Sequence, residues 1–412
     1  MTHRQTVTTG KTLQTKNSTS AFLKKKPKNN LRVAFVVPHL FIHRDILPKV
    51  IFSPGELAVE LIEGMTKQGV DVTLFAPGPV ATTVPTITAD LSYFEAELAK
   101  RGDTYIDLLK KHPATFVGLA RQVQSEILAK AFAMANNDEF DIVHVYTNEE
   151  DLALPFSRLC TKPVVFTHHD PFNFLIKYKN NFPKYTDLNW ISLSYAQRQT
   201  MPSSTNWVAN IYHGLDKDVF KPIKTPSNTY IAFLGRIVQP KGLHIAIQAV
   251  KAYNKTAKVP LKLKIAGKHY ADVSNDDYWQ TVIEPELNDD IEYVGFIKDA
   301  RQRSEFLGNA TALVVPSLFD EPFGMVLIES LASGTPVIGL NSGAIPEIIT
   351  SKNGILVAKQ ESDNDTAAQL ATTFDSIKKI SRQDSRDDFI ARFSIERMCS
   401  EHIETYQKVT KR

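Results

Sequence analysis

Residues 313–329 read LVVPSLFDEPFGMVLIE, an apolar run followed by a polar loop and a second apolar run. The run Leu313–Val315 predicts a buried strand, and the segment from Pro322 onward predicts a helix. A little further along, Pro336–Gly339 predicts the next strand. A strand, a loop, a helix and another strand are typical of a parallel α/β sheet, in which ligands bind at the carboxyl ends of the strands.

Two glutamates flank the predicted helix start, Glu321 before it and Glu329 within it. Pro322 suits a first helical turn, and the N–H groups of residues 323–326 would then bind an anion at the positive end of the helix dipole. Glu329 lies about five residues further along, roughly 7 Å at 1.5 Å per residue, which matches the ribose beside a bound diphosphate. Glu321 would face the group that the phosphate carries.

Two isolated glutamates at this spacing are usually a helix cap and a solvated side chain. Here the strands on both sides place the pair at a sheet edge, which favours a binding site.

These motifs resemble the C-terminal domain of glycosyltransferase family 4, in which EPFG and a later glutamate are followed by SGTPVI and GAIPE, here residues 333–338 and 343–347. The further segments that match the family, in the same order, are Thr167–Asp170, His213–Asp216, Gly235–Arg236 and Pro240–Gly242. The resemblance extends from about Leu31 to the end of the chain. It implies a GT-B fold, with two doubly wound Rossmann-like domains facing a cleft, and a retaining reaction.

The chain departs from the family pattern at three places. Pro54-Gly55 and Gly343-Ala344 each stand where the family commonly has two glycines, and His213 stands where it usually has asparagine. The first two departures concern contacts to phosphate or acceptor.

The resemblance implies a role for each matching position. The residues predicted to be catalytic are Glu321, His169, Arg236 and Lys241. The residues predicted to bind the donor are Gly235, Arg236, Lys241, Gly267, Phe323, Gly324, Met325, Val326 and Glu329. The residues predicted to face the sugar or the acceptor are Gly55, His169 and Asp170. No metal ion and no cofactor are predicted, because Arg236 and Lys241 would neutralise the leaving diphosphate.

The basic and histidine candidates each have a structural alternative. Arg236 or Lys241 alone could be a surface side chain in a turn, but together, after a buried strand, they favour phosphate binding: arginine suits bidentate contact and lysine adds a mobile charge. His169 could be a buried structural histidine. Its place as the third residue of a T-x-H-D segment favours contact with the sugar or the acceptor.

The strand pattern divides the chain into two series. Arg32–Val37 and Val72–Ala76 predict a βαβ unit whose helix starts at a capping box, Ser53–Glu56. The other strands predicted in the first series are Asp141–Val145, Val164–Thr167, Ile191–Ser194 and Trp207–Ile211. Those predicted in the second are Tyr230–Leu234, Leu261–Ala266, Ile291–Val294, Leu313–Val315, Val337–Ile338 and Ile355–Val357. We predict domains at residues 31–220 and 221–393. By resemblance, a helix at 394–412 returns to the first domain.

Composition suits a cytosolic enzyme of two domains. The 412 residues are too many for one core, and no apolar run reaches the roughly 18 residues of a membrane span. No signal peptide is recognised. Cys160 and Cys399 suit reduced thiols better than a disulfide or a zinc site.

The net charge of +3 conceals an asymmetry. Residues 1–30 contain seven Lys and Arg and no acidic residue, so the remainder carries 3 − 7 = −4. We predict that this basic segment is disordered. It could contact an anionic membrane surface, but a solvated extension is the simpler interpretation, and a transit peptide is a third. The acidic remainder disfavours nucleic acid as a partner.

The predicted function is therefore transfer of a hexose from a nucleoside-diphosphate sugar to a hydroxyl acceptor, a glycan, a lipid or a small molecule. A sugar-nucleotide epimerase or a sugar phosphorylase of the same fold is one alternative, and a non-catalytic sugar-nucleotide-binding module is another. No G-x-G-x-x-G or P-loop pattern points to a different nucleotide enzyme.

Overall fold

The computed structural model describes residues 31–146, 148–269 and 277–411. These residues form two parallel sheets, of seven and six strands, covered by helices. The predicted α/β fold with two doubly wound domains is confirmed. The basic segment 1–30, its predicted disorder and its predicted membrane contact lie outside the described residues.

The sheet of the first domain has the strand order β3-β2-β1-β4-β5-β6-β7. Its strands are β1 Arg32–Val36, β2 Asp71–Ala76, β3 Thr86–Thr88, β4 Ile142–Tyr146, β5 Val164–Thr167, β6 Asn189–Ser192 and β7 Trp207–Asn210. Its helices are α1 Ser53–Lys67, α2 Ser92–Arg101, α3 Tyr105–Lys111, α4 Pro113–Asn136, α5 Ala153–Phe156, α6 Ile176–Asn181 and α7 Tyr195–Arg198. The central strands are almost wholly apolar because helices cover both faces of the sheet.

The sheet of the second domain has the order β10-β9-β8-β11-β12-β13. Its strands are β8 Tyr230–Leu234, β9 Lys262–Ala266, β10 Ile291–Gly295, β11 Ala312–Val315, β12 Val337–Leu340 and β13 Gly354–Val357. The helices that follow are α8 Leu243–Asn254, α9 Ala300–Gly308, α10 Met325–Ala332, α11 Ile345–Ile348, α12 Asp363–Ala371, α13 Arg382–Phe393 and α14 Ile395–Thr410. In the described part of the chain, no helix combines the length and the apolar character needed to span a bilayer.

Two local predictions in the first domain were wrong. Strand β3 was missed because Thr86–Thr88 has three half-buried residues and no run of apolar side chains. The capping box does not form: helix α1 starts at Ser53 itself, and its N-cap is Phe52, whose side chain makes no capping hydrogen bond. Pro54 in the first turn is therefore the main local signal for this helix start.

Helix α14 crosses from the second domain and packs on the first. Its buried residues Met398, Cys399 and Tyr406 belong to the same apolar cluster as strands β1, β2 and β4. The Tyr406 hydroxyl hydrogen-bonds Nδ1 of His144 at 2.6 Å beneath the sheet. This helix therefore links the end of the chain to the core of the first domain.

Side chains also join the domains near the start of α7. The Glu347 carboxylate accepts hydrogen bonds from the N–H groups of Tyr195 and Ala196 at 2.9 and 2.6 Å. It also accepts one from the Tyr212 hydroxyl at 3.0 Å. The Ser194 hydroxyl donates to the carbonyl of Pro322 at 2.7 Å. The first domain thus holds the EPFG segment of the second in place.

Candidate active site

A cleft of about 270 Å³ lies at the carboxyl ends of β8, β9, β10 and β11, where parallel sheets bind ligands. We call it the main cleft. The second domain lines it with Gly235, Gly267 and residues 296–298, which follow three successive strands, and with the start of α10. The first domain closes it with residues 50–53 and Glu56.

The turn between β8 and α8 presents Lys241 to the main cleft. Gly242 ends the turn with a φ of +70°, and a Cβ at this position would overlap the carbonyl oxygen of Pro316. The Pro240 carbonyl accepts two hydrogen bonds from the N–H groups of residues 318–319, at 2.8 and 3.2 Å. The turn is therefore packed directly on the loop that leads to α10. This close packing requires glycine at the end of the turn.

Lys241 forms an ion pair with Glu321, 80 residues away in the chain. The Ser317 hydroxyl donates to the same Oε1 oxygen of Glu321 at 2.9 Å. The ammonium group also lies over the ring of Phe319, 5.3 Å from its centroid. Only 19% of the Lys241 side chain and 11% of the Glu321 side chain are exposed. Lys241 was assigned to the diphosphate and Glu321 to the sugar, and their pairing was not predicted, whereas the structure joins them.

Arg236 is the second cation of the main cleft. It follows β8, is exposed to solvent, and makes no ion pair within the described part of the chain. Beside it, a Cβ on Gly267 would overlap the carbonyl oxygen of Gly235. The two turns therefore approach closely, and no side chain would fit at Gly267 between them.

Helix α10 begins later than predicted. Pro322 precedes the helix, and Gly324 is its N-cap, in a left-handed conformation with a φ of +98°. The prediction that Pro322 starts the helix is wrong because the glycine reverses the chain two residues later. The first N–H groups of the helix, on Met325 and Val326, have no acceptor within it, and both residues line the main cleft.

Phe323, a predicted donor-binding residue, turns its ring away from the main cleft. The ring is 2% exposed and makes an edge contact with His213, with 4.9 Å between centroids. Phe393 packs on its other side. The side chain therefore anchors the EPFG loop in the core, and only the Phe323 backbone remains for a ligand.

Glu329 lies in the second turn of α10 and is buried at the edge of the main cleft. Burial raises the pKa of its carboxyl group, and Arg303 of α9 opposes that shift. Arg303 Nη2 lies 3.2 Å from Glu329 Oε1. Arg303 was not predicted, since no motif contains it and 26 residues separate it from Glu329.

His169 is buried in a cluster of rings rather than open to the main cleft. It stacks on His213 with 5.2 Å between centroids and an interplanar angle of 8°, and it makes an edge contact with Tyr146 at 4.5 Å. Burial, with the nearby histidines, holds the pKa of His169 well below its usual value. The imidazole is therefore neutral near pH 7, and its Nε2 has no hydrogen-bond partner among the described residues.

Two other acceptor-side candidates have structural partners. The Asp170 carboxylate accepts a hydrogen bond from the Asn148 amide at 2.9 Å. Gly55 is buried in the first turn of α1, where a Cβ would lie 2.6 Å from the Phe52 ring. Gly55 itself does not line the main cleft, although Phe52 does.

A second cavity of about 280 Å³, which we call the side cavity, opens on the other side of Glu321. Pro171, Phe174 and Gln197 line it from the first domain, and Phe319 lines it from the second. Sequence reasoning missed Gln197, whose amide donates to the carbonyls of His168 and Asp170 at 2.8 and 3.0 Å. Gln197 thereby braces the T-x-H-D segment, and no pattern in the sequence marks it.

Comparison with protein families identifies the second domain. Residues 216–389 match the family described as glycosyl transferases group 1. The second domain is a group 1 glycosyl transferase domain. Its matched range contains Arg236, Lys241 and both glutamates.

The curated relatives of this chain are consistent with this assignment. The phosphatidyl-myo-inositol mannosyltransferase of Propionibacterium freudenreichii is 23% identical over 348 residues, 79% of this chain and 81% of that protein. The chain spans 60%, 46% and 33% of the length of three other curated relatives.

Two solved structures share the fold of both domains. Sucrose-phosphate synthase from Thermosynechococcus elongatus has a TM-score of 0.69 at 17% identity, over 93% of this chain and all of that one. Anabaena HepE, solved with UDP and glucose, has a TM-score of 0.64 at 16% identity, over 92% of this chain and all of that one. At such identities the likeness shows the fold alone, and it confirms the GT-B arrangement around the group 1 domain.

The packing of Gly242 predicts a destabilising substitution with a matched control. Gly242 and Gly102 both adopt left-handed backbone, with φ of +70° and +68°, but a Cβ on Gly102 would have nothing within 4 Å. We expect Gly102→Ala to lower the free energy of unfolding by about 1–2 kcal/mol, the usual cost of left-handed alanine. Gly242→Ala should cost more because it also displaces Pro316. Urea unfolding of both variants measures the difference, and equal losses would contradict this packing.

Proposed function

We propose that this chain is a retaining glycosyltransferase that transfers a hexose from a nucleoside-diphosphate sugar to a hydroxyl group of an acceptor, without a metal ion. The observation that carries the proposal is the position of Glu321, which lines both the main cleft and the side cavity. A donor in the first and an acceptor in the second would meet at this carboxylate.

The charges of the main cleft suit a leaving diphosphate. Arg236, Lys241 and the free N–H groups at the start of α10 all face the same cleft. Stabilising negative charge on the leaving group is usually the largest catalytic contribution, and arginine, lysine and a helix N-terminus each supply it. In this proposal these three groups replace the divalent metal that other transferases use.

The environment of Glu329 suits a ribose. The helix carries this carboxylate about 6 Å beyond Met325, at 1.5 Å per residue, so a diphosphate at the helix start would leave its ribose hydroxyls within reach. A carboxylate accepts hydrogen bonds from two adjacent hydroxyls. The complex of Anabaena HepE with UDP and glucose is consistent with a nucleotide in such a cleft.

The side cavity suits the acceptor because the first domain provides half of its lining residues, including Phe174 and Gln197. The similarity to a phosphatidyl-myo-inositol mannosyltransferase is consistent with an acceptor hydroxyl on a polyol or lipid. We expect the enzyme to act in the cytosol, where nucleotide sugars would reach the cleft.

Retention is what the resemblance to glycosyltransferase family 4 implies, and attack on the front face of the sugar is the simplest route to it. Attack from the face that the diphosphate leaves would let that diphosphate accept the acceptor proton, and no enzyme carboxylate need form a glycosyl bond.

Incubation with UDP-, GDP- and ADP-hexoses identifies the donor through release of the nucleoside diphosphate, and proton NMR of the product gives its anomeric configuration. We expect the donor configuration to be retained. An inverted product would refute the mechanism, and conversion of the sugar nucleotide without acceptor into its epimer would refute the transferase.

Substitution of Lys241 tests whether basic side chains take the place of a metal ion at the diphosphate. We expect Lys241→Ala to lower kcat/KM by on the order of 100-fold or more, because one leaving-group contact is lost. Lys241→Arg, which keeps the charge, should lose less, and Lys179→Ala, on the exposed face of α6, should change nothing. EDTA should leave the wild-type rate unchanged. A rate that requires added magnesium would contradict that role of the basic side chains.

Substitutions of the two glutamates should change different kinetic constants. Glu329→Gln should chiefly raise the donor KM, because ribose contacts are equally strong in the ground and transition states. Glu321→Gln should chiefly lower kcat, because a contact at the sugar strengthens as the glycosidic bond stretches. Steady-state kinetics with saturating acceptor measure both. If Glu321→Gln raised KM and left kcat intact, the assigned roles would be wrong.

A further inference from the structure

Arg303 contacts three other parts of the chain at the edge of the main cleft. Its Nη2 pairs with Glu329, and its Nη1 donates to the carbonyl of Lys298 at 2.5 Å. Its guanidinium also lies over the ring of Phe220, 5.8 Å from the centroid. Helix α9 supplies Arg303 from its first turns, with Asp299 as N-cap. The side chain is 21% exposed, so these contacts hold it in a defined position.

The neighbouring Arg303 favours the ionised form of the Glu329 carboxyl group. Only 9% of its side chain is exposed, and Arg303 is the one cation that pairs with it in the described part of the chain. Burial disfavours the ionised form of a carboxyl group and raises its pKa, whereas a positive charge nearby lowers it. A neutral carboxyl would donate one hydrogen bond and lose the two charge-assisted ones that adjacent ribose hydroxyls can form.

We propose that Arg303 is a positioning residue of the donor site, which keeps Glu329 ionised and aimed at the ribose of the bound nucleotide. The contact with the ribose rests on the proposed function. The ionisation state of Glu329 in the free protein does not depend on it. Arg303 itself contacts no reacting atom in this proposal, so its loss should weaken donor binding and leave kcat nearly unchanged at saturating donor.

Other charged groups face the same space and must be separated from Glu329. Glu56 and Glu60 of α1, with Asp216 and Lys298, line a cavity of about 540 Å³ that adjoins Glu329. Glu60 is exposed at the rim of this cavity, and its partial desolvation there, with the carboxylates of Asp216, Glu56 and Glu329, raises its pKa to about 7. A titration near neutral pH therefore includes Glu60, and each measurement below is repeated with Glu60→Gln.

The first experiment needs no ligand. The carboxyl ¹³C resonance of Glu329, assigned by its absence in Glu329→Gln, is followed from pH 4 to 9 in protein labelled at glutamate. We expect Arg303→Met to move its midpoint upward by about 1–3 pH units, the effect of removing an opposite charge at this distance. Arg303→Lys should restore most of the wild-type midpoint. Arg301→Gln, which removes an exposed charge from the same helix, should leave it unchanged.

The second experiment measures the binding of UDP, GDP and ADP by calorimetry at pH 6.5 and 8.5. In Arg303→Met we expect the affinity of the preferred diphosphate to fall about tenfold or more at pH 6.5 and to recover at pH 8.5. In the double variant with Glu329→Gln the affinity should vary between the two pH values only as much as it does in the wild-type protein. A residue that only supports the fold would lower affinity equally at both pH values.

The outcomes distinguish the inference from the function on which it rests. An unmoved Glu329 midpoint in Arg303→Met overturns the role of Arg303 whatever the nucleotides do. A shifted midpoint with pH-independent nucleotide affinity overturns the link to the ribose. If the wild-type protein binds none of the three diphosphates while the midpoint shifts, the proposed donor site is wrong and the electrostatic role of Arg303 stands.

Discussion

The ion pair between Lys241 and Glu321 is the contact on which the site depends. It joins the turn after β8 to the loop before α10, and both side chains are largely withdrawn from water. Burying two charges loses more hydration free energy than their mutual attraction recovers, unless hydrogen bonds satisfy their remaining polar atoms. Ser317 provides one such bond, and the glycine at the end of the Lys241 turn lets the two loops touch. The pair therefore exists because the backbone around it is packed closely enough to hold it.

That packing in turn depends on the contact between the domains. The hydroxyl of Ser194 bonds the carbonyl of Pro322, and Glu347 bonds the first N–H groups of α7. Phe323 packs on His213 from the first domain, and α14 returns to the core of that domain. The loop that carries Glu321 is thus held from both sides. A change in the relative position of the two domains would therefore move Glu321. Glu329 lies within a helix of the second domain and would keep its place in that domain.

Local patterns predicted most of the sheet. Strands such as β5 and β8 were placed to the residue because buried parallel strands read as unbroken apolar runs. The start of α10 was misplaced because the preference of proline for a first turn is a local tendency, which the left-handed Gly324 overrides. The partners of the glutamates could not be predicted at all. Lys241 and Arg303 reach them across 80 and 26 residues, and only the fold brings those side chains together.

The two glutamates follow one physical rule with different partners. Each is a carboxylate enclosed in the cleft, and each has a single cation within 4 Å in the described part of the chain, an ammonium for Glu321 and a guanidinium for Glu329. A lysine is a mobile point charge, whereas an arginine held by a carbonyl and a ring is not. In the proposed mechanism, an arriving diphosphate would therefore draw Lys241 away from Glu321 and release that carboxylate toward the sugar. Glu329 keeps its fixed partner throughout, which suits a group that only binds.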